Sequence, residues 1–259
     1  LTGLVWQREI PSVYSGCAAG TTCTLSEAIV YCDNLVLGPF SDYHLPTIHE
    51  LVSLASYEKN APTYDSLAIL TRESGATYWS VSPLPGNPGG GLAFYSQNGT
   101  TATLGSPELS PQTVRCVRAA QAFAPPTYPR FVRTVVDSEA YYSDRVTNLI
   151  WKDGTAVALS WKSALELCEG ATFAGRTDWR VPNVHELMSL VDFSQAAAPY
   201  GEIPAAPKAA VWTSTTPASS TAEAYIVDFN WASLVKLAKS DSATTVWCVA
   251  GPEQAVSGR

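Results

Sequence analysis

The sequence predicts an α+β protein made of two tandem copies of one domain. Three observations predict it. "LPTIHELVSL" from Leu45 and "VPNVHELMSL" from Val181 share six of ten letters at an offset of 136. Further landmarks then recur in one order: "TGLVWQ" with "TNLIWK" at offset 145, Cys32 with Cys168 at 136, "YWS" with "VWT" at 133, "VRCV" with "VWCV" at 132. The drifting offset is what small insertions leave between two copies of a repeat. Finally, apolar residues recur at helical spacing early in each copy and alternate late, the order of an α+β domain with an antiparallel sheet.

Element by element, each copy opens with a short apolar strand, "TGLVWQ" or "TNLIWK". The first helix follows. Thr24 and Ser160 stand at its N-cap, and Glu27 completes a capping box in copy one. Ala28, Ile29, Cys32 and Leu35 form one apolar face, and Ala164, Leu165 and Cys168 form its counterpart. A turn with Gly, Asp and an aromatic leads into the second helix, capped by Thr47 or Asn183. Glu50 or Glu186 stands three residues on, where a carboxylate reaches back to the cap N–H and meets the positive helix end. Ile48, Leu51, Val52 and Ala55 face the core, as do Val184, Leu187, Met188 and Val191. The rest is strand and loop: "ATYWSVS", "GLAFYSQNG" and "QTVRCVRA" in copy one, "AAVWTSTT", "AYIVDFNWASLVKLAK" and "TTVWCVAG" in copy two. Residues 83–91, rich in Pro and Gly, read as a loop. The three prolines of "AAQAFAPPTYPR" mark a linker. The expected boundaries are 1–120, a linker at 121–130, and 131–259.

The repeat also sorts the six cysteines. Cys32 and Cys116 are equivalent to Cys168 and Cys248, which suggests one disulfide within each copy. Cys17 and Cys23 have no counterpart and flank a small-residue loop, where they can pair locally. Buried free thiols are the alternative reading.

The chain has 259 residues, is 46% hydrophobic and 15% charged, and carries a net charge of −7. Such a composition buries a core. The low charged fraction implies a surface of small polar residues, common in secreted proteins. Copy one has 5 basic and 9 acidic residues up to residue 120, and the rest has 11 and 14, so neither is basic. That argues against nucleic acid as a partner. No run approaches 18 apolar residues, so no membrane span is expected. A first residue Leu1 rather than Met suggests a processed form or an excised fragment.

Catalytic and metal motifs fail one by one. A zincin needs His-Glu-x-x-His, but the fifth position here is Ser53 or Ser189. His49 and His185 are therefore read as helix-start or packing residues. No Gly-x-Ser-x-Gly elbow stands around Ser80, Ser214 or any other serine, and no phosphate-binding glycine loop or calcium loop appears. Asp42 and Asp178 are read as turn formers. "NGT" at Asn98 is a surface turn, and a glycosylation acceptor only in a glycosylating source. No cofactor and no metal is expected, and no enzymatic activity. What remains is an aromatic and polar surface. Asp228, Asn230 and Trp231 are read as part of a strand with one wet face, and Tyr95, Gln97 and Asn98 occupy the equivalent region of copy one. Such a surface could stack and hydrogen-bond a sugar or peptide; an ordinary satisfied sheet surface is the alternative.

The ordered set "SDYHLPTIHELVSL", "YWS", "VRCVR" with "TDWRVPNVHELMSLVD", "VWTST", "VWCV" resembles the C-terminal domain of Legionella collagen-like adhesin, across nearly the whole chain. Leu-Pro-Thr leading into a Glu-bearing helix is also similar to the formylglycine-generating enzyme group. The resemblance implies two tandem C-type-lectin-like domains, each with two helices and an antiparallel sheet. This sequence shows neither that group's catalytic cysteine pair nor the Glu-Pro-Asn, Gln-Pro-Asp or Trp-Asn-Asp calcium motifs of classical C-type lectins. It implies a secreted or surface-exposed bacterial adhesion module that binds a glycan or protein at a cell surface or matrix, with a homo-oligomer allowed. The naming adhesin binds sulfated glycosaminoglycans through basic residues, whereas both copies here are acidic. A structural subunit of an extracellular assembly and an enzyme on a lectin-like scaffold are the alternative functions.

Overall fold

The computed structural model describes residues 3–57, 75–87, 89–119, 128–154, 157–194, 201–203 and 206–251. The chain folds as two compact units, Leu1–Phe123 and Ala124–Ser257. Residues 121–127 of the expected linker lie outside the described ones. Arg130, at its far end, is already bound into the second unit through Asp144 at 2.8 Å.

Unit 1 contains, in order, β1 (Leu4–Trp6), α1 (Leu25–Asp33), α2 (Ile48–Ser53), β2 (Thr77–Pro83), β3 (Gly91–Tyr95), β4 (Thr100–Leu104) and β5 (Val117–Ala119). β1 pairs antiparallel with β5, and β2, β3 and β4 form a three-stranded antiparallel meander. Both helices begin at capping boxes, Thr24 with Glu27 and Thr47 with Glu50, so two of the orphan N–H groups of each helix end are satisfied by local sequence. The expected apolar faces are the buried ones: Ala28 and Cys32 on α1, and Ile48, Leu51 and Val52 on α2.

Unit 2 contains β6 (Phe131–Val136), β7 (Glu139–Asp144), β8 (Ile150–Lys152), β9 (Val157–Ala158), α3 (Trp161–Glu169), α4 (Val184–Met188), β10 (Ala210–Trp212), β11 (Glu223–Asp228), β12 (Ser233–Ala238), β13 (Thr245–Val246) and β14 (Val249–Ala250). One sheet runs β12-β11-β10-β13-β9 and the other β14-β8-β7-β6. The antiparallel expectation needs one amendment here, because β10 and β13 pair in parallel. They are joined through the β11–β12 hairpin, so β13 returns in the direction of β10. The hairpin β6–β7 turns on Asp137 and Ser138, both exposed and both left-handed, with φ of 49° and 69°.

The two units repeat one set of long-range bonds. The disulfides Cys32–Cys116 and Cys168–Cys248 tie the first helix of each unit to its C-terminal segment, and Cys17–Cys23 closes a local loop. Val81 donates to the Pro46 carbonyl and Ser214 to the Pro182 carbonyl, both at 2.8 Å. The first helical amide, Ile48 or Val184, donates to the hydroxyl of Ser82 or Thr215. Each core holds one fully buried tryptophan at the same place: the Trp79 indole donates to the Cys23 carbonyl at 2.7 Å, and the Trp212 indole to the Leu159 carbonyl at 2.9 Å. These two equivalent indoles find their partners, as burial demands, whereas the Nε1 of Trp151, also fully buried in unit 2, has none among the described residues.

Candidate functional site

The candidate residues gather at one hairpin tip in each unit. In unit 1 the β3–β4 tip spans 96–99, between the paired residues Tyr95 and Thr100. Ser96 is fully buried and donates to the Ala76 carbonyl at 2.8 Å. The Gly99 amide donates to the Tyr95 carbonyl at 2.9 Å. The Asn98 side-chain oxygen accepts from both the amide and the hydroxyl of Thr100. That leaves Tyr95 and Gln97 exposed on a turn held by its own bonds.

In unit 2 the β11–β12 tip spans 229–232, between Asp228 and Ser233. Here the structure corrects the sequence reading. Asn230 and Trp231 are turn residues, not members of an alternating strand, because β11 ends at Asp228. The Asp228 carboxylate accepts from the Asn230 amide at 2.8 Å, and the Trp231 amide donates to the Asp228 carbonyl. Ala232 then takes a left-handed φ of 48°, where unit 1 has Gly99 at 70°. Phe229 and Trp231, which strand alternation would place on one face, separate completely: Phe229 is fully buried against Trp247, and Trp231 is 71% exposed. The tip therefore offers an indole face beside an acid and an amide. Such a surface can stack on a sugar ring or an apolar side chain while polar groups orient it.

The other sequence candidates are structural. Asp42 accepts two bonds from the Arg118 guanidinium, at 2.6 and 3.0 Å. Asp178 accepts two from Arg176 and one from the Gly251 amide. These arginines hold both carboxyls below the usual range, so neither is poised as an acid near neutral pH. Glu50 and Glu186 close their capping boxes and also meet a cation six residues upstream. In unit 2 that cation is Arg180, forked onto Glu186 at 2.7 and 2.8 Å with the carboxylate wholly buried. In unit 1 it is His44, 3.2 Å from Glu50 and 41% exposed. The hydrogen bond to Glu50 holds the imidazole above the ordinary histidine value, against the effect of burial. His49 and His185 lie on the first turns of α2 and α4. Among the described residues, no three His, Cys, Asp or Glu side chains gather to hold a metal ion.

Sequence reasoning missed two cationic features of unit 2. Lys239 lies 3.8 Å from the Trp161 ring centroid and donates to the Thr216 hydroxyl, while Lys236 lies over the Tyr225 ring and donates to Ser219. Desolvation lowers the Lys239 pKa. Lys236 and Lys239 lie three apart at the end of "VKLAK"; the carriers of their contacts, Trp161, Thr216, Ser219 and Tyr225, are far off in sequence, so no local pattern announces them. The second feature is Arg130, which bonds Asp144, Glu202 and the Ser189 carbonyl together. Burial raises Glu202, although Arg130 opposes it.

The two units thus share a disulfide, a capped second helix and a hairpin tip, in one order. No curated protein matches the chain. The description "Lcl C-terminal domain" matches residues 1–118 and, a second time, residues 140–250. With both units matched, the chain belongs to the Lcl C-terminal domain family, as a tandem repeat of it.

Proposed function

We infer that this chain is a secreted or surface-exposed binding module of adhesive type, with two C-type-lectin-like domains and no catalytic activity. Its ligand is a glycan or a protein of a cell surface or matrix. Membership of the Lcl C-terminal domain family supports the adhesive role. Three disulfides support an oxidising, extracellular setting. No helix of the described residues is long and apolar enough to cross a membrane.

The observation that carries the reading is Trp231. A large apolar side chain 71% exposed has no packing role, yet here its backbone is fixed by a bonded turn over the buried Phe229. A rigid, exposed aromatic loses little entropy on contact and contributes a large binding area. The net charge of −7 turns the expectation away from highly sulfated polymers and towards neutral glycans or protein.

The test is binding of the oxidised chain to a broad glycan array and to immobilised matrix proteins, with Trp231→Ala alongside. Saturable binding that Trp231→Ala weakens at least tenfold, with an unchanged melting temperature, is the expected result. Binding that is indifferent to Trp231→Ala would remove this tip from the site. A chain that binds nothing on either surface would favour a structural subunit instead.

A further inference from the structure

β6 is the outer strand of the sheet β14-β8-β7-β6. Among the described residues, no strand pairs with its far side. Its sequence, Phe131–Val136, is "FVRTVV". Outer strands are ordinarily blunted by proline, lysine, a bulge or shortness. β6 has none of these. Its register with β7 runs unbroken from Phe131–Asp144 to Val136–Glu139. Its single charge, Arg133, is compensated by Asp153 at 2.7 Å. Val135 is 55% exposed. The other six-residue outer strand, β12, does carry a lysine, Lys236.

The bonding pattern fixes which groups of β6 are open. Val136 and Glu139 flank a two-residue turn, where the facing pair is bonded, and bonded pairs then alternate along the ladder. The Arg145 amide donates to the Arg130 carbonyl at 2.9 Å, which has the same phase. Val132, Thr134 and Val136 therefore bond β7 with amide and carbonyl, and those of Phe131, Arg133 and Val135 point away from it. The hairpin behind this edge is anchored. Asp144, wholly buried, holds Arg130 at 2.8 Å, Tyr142 stands opposite the buried Trp151, and Glu139 accepts from the Ala174 amide.

We propose that the outer edge of β6 pairs antiparallel with β6 of a second copy of this chain, about a two-fold axis at Thr134. The two four-stranded sheets then become one continuous sheet. The register follows by elimination. An axis at Arg133 sets two like charges directly opposite. An axis at Val132 brings Pro129, which has no amide, opposite Val135. An axis at Val135 runs the ladder into the left-handed turn at Asp137. With the axis at Thr134, the open groups of Arg133 and of the second copy's Val135 bond each other, and the symmetric pair does the same. Side chains match as well. Thr134 meets Thr134 and Val132 meets Val136, both favourable cross-strand pairs, and the arginine stem covers the exposed Val135. This strand is complementary to itself, which singles out a second copy as its occupant.

The test is sedimentation equilibrium of the full oxidised chain up to about 1 mM, with hydrogen exchange followed at low and high concentration. A monomer–dimer equilibrium is expected. The Arg133 and Val135 amides should gain protection with concentration, while those of Val132, Thr134 and Val136 stay unchanged. Val135→Pro removes an outward N–H from an outer strand, where proline is tolerated, and should weaken dimerisation at least about tenfold at an unchanged melting temperature. A second pair of variants tests the axis itself. Thr134→Lys and Thr134→Asp should each dimerise about tenfold more weakly alone, and an equimolar mixture of the two should recover the association. The proposal is overturned if the chain stays monomeric throughout. It is also overturned if dimers form that neither Val135→Pro nor the Thr134 variants weaken, or that protect amides other than those of Arg133 and Val135.

Discussion

The three disulfides should not contribute equally, and the inequality is calculable. Cys32–Cys116 and Cys168–Cys248 span 84 and 80 residues, and Cys17–Cys23 spans 6. If a cross-link acts by restricting the unfolded chain, each long link contributes about 4.5 kcal/mol and the short one about 2 kcal/mol. Burial should add to the difference, because Cys32 and Cys168 are fully buried against their cores. The perturbation is a paired Cys→Ala change at each bridge in turn. Two units need not unfold together, so a single transition is the wrong readout. Hydrogen exchange of the α1 and α3 amides in increasing urea reports each unit separately. Removing Cys168–Cys248 should lower the opening free energy of α3 by about 2–5 kcal/mol and leave α1 unchanged, and removing Cys32–Cys116 should do the reverse. Removing Cys17–Cys23 should cost α1 roughly half as much as removing the long link. Equal losses from the short and long links in unit 1 would refute the chain-entropy argument. Loss in both units from one pair would refute their independence.

Three smaller predictions concern charge and backbone. Arg180→Ala strands the wholly buried Glu186 carboxylate and should cost about 3–5 kcal/mol in urea titration, whereas His44→Ala, at a half-exposed pair, should cost under about 1 kcal/mol. The His44–Glu50 pair should make unit 1 sensitive to pH. His44 is held above its ordinary value, so its contribution is complete below about pH 6.5 and is lost as pH rises through the higher folded value. Burial pushes Glu50 up, but His44 and Thr47 outweigh it and hold the carboxyl low, so its share disappears only on acidification through that lowered value. His44→Arg should flatten the loss on the alkaline side, measured by α2 exchange from pH 6 to 9; an unchanged slope would remove His44 as its source. Ser138→Gly, at an exposed position with φ of 69°, should stabilise unit 2 by about 1 kcal/mol, read as a raised melting temperature.

The helices were legible because their signals are local. Thr24 with Glu27, Thr47 with Glu50 and Asn183 with Glu186 each sit within one turn, and the apolar spacing that follows belongs to the same few residues. The tip of unit 2 was not legible. Its chain reverses at Ala232, a residue with no turn preference, and the bond from Asn230 to Asp228 can equally be read as strand alternation. In unit 1 the same reversal is announced by Asn98-Gly99, and the repeat carries that turn across to copy two once Thr100 is aligned with Ser233. The β6–β7 hairpin was missed for a related reason, since Asp137 and Ser138 take left-handed backbone without a glycine. The carboxylate roles of Asp42 and Asp144 depend on Arg118 and Arg130, which are 76 and 14 residues away, and no periodicity encodes such pairs.

Comparing the two tips separates what the frame requires from what it leaves open. Both are four-residue turns between paired strand ends, and both bury the first turn residue, Ser96 or Phe229. Both place a left-handed residue last. Only the two middle positions are free of these demands, and there the units diverge: Gln97 and Asn98 in one, Asn230 and Trp231 in the other. Asn98 spends its side-chain oxygen on Thr100, whereas Trp231 projects into solvent. The same division appears at the second helix, where the capping glutamate is kept and its cation changes from His44 to Arg180. A frame held by disulfides, caps and buried indoles can therefore exchange its exposed chemistry at little cost to folding. Under the proposed binding role, stacking falls to the tip of unit 2, which carries the exposed indole. The tip of unit 1, with a tyrosine and two amides, suits hydrogen bonding to a more polar surface.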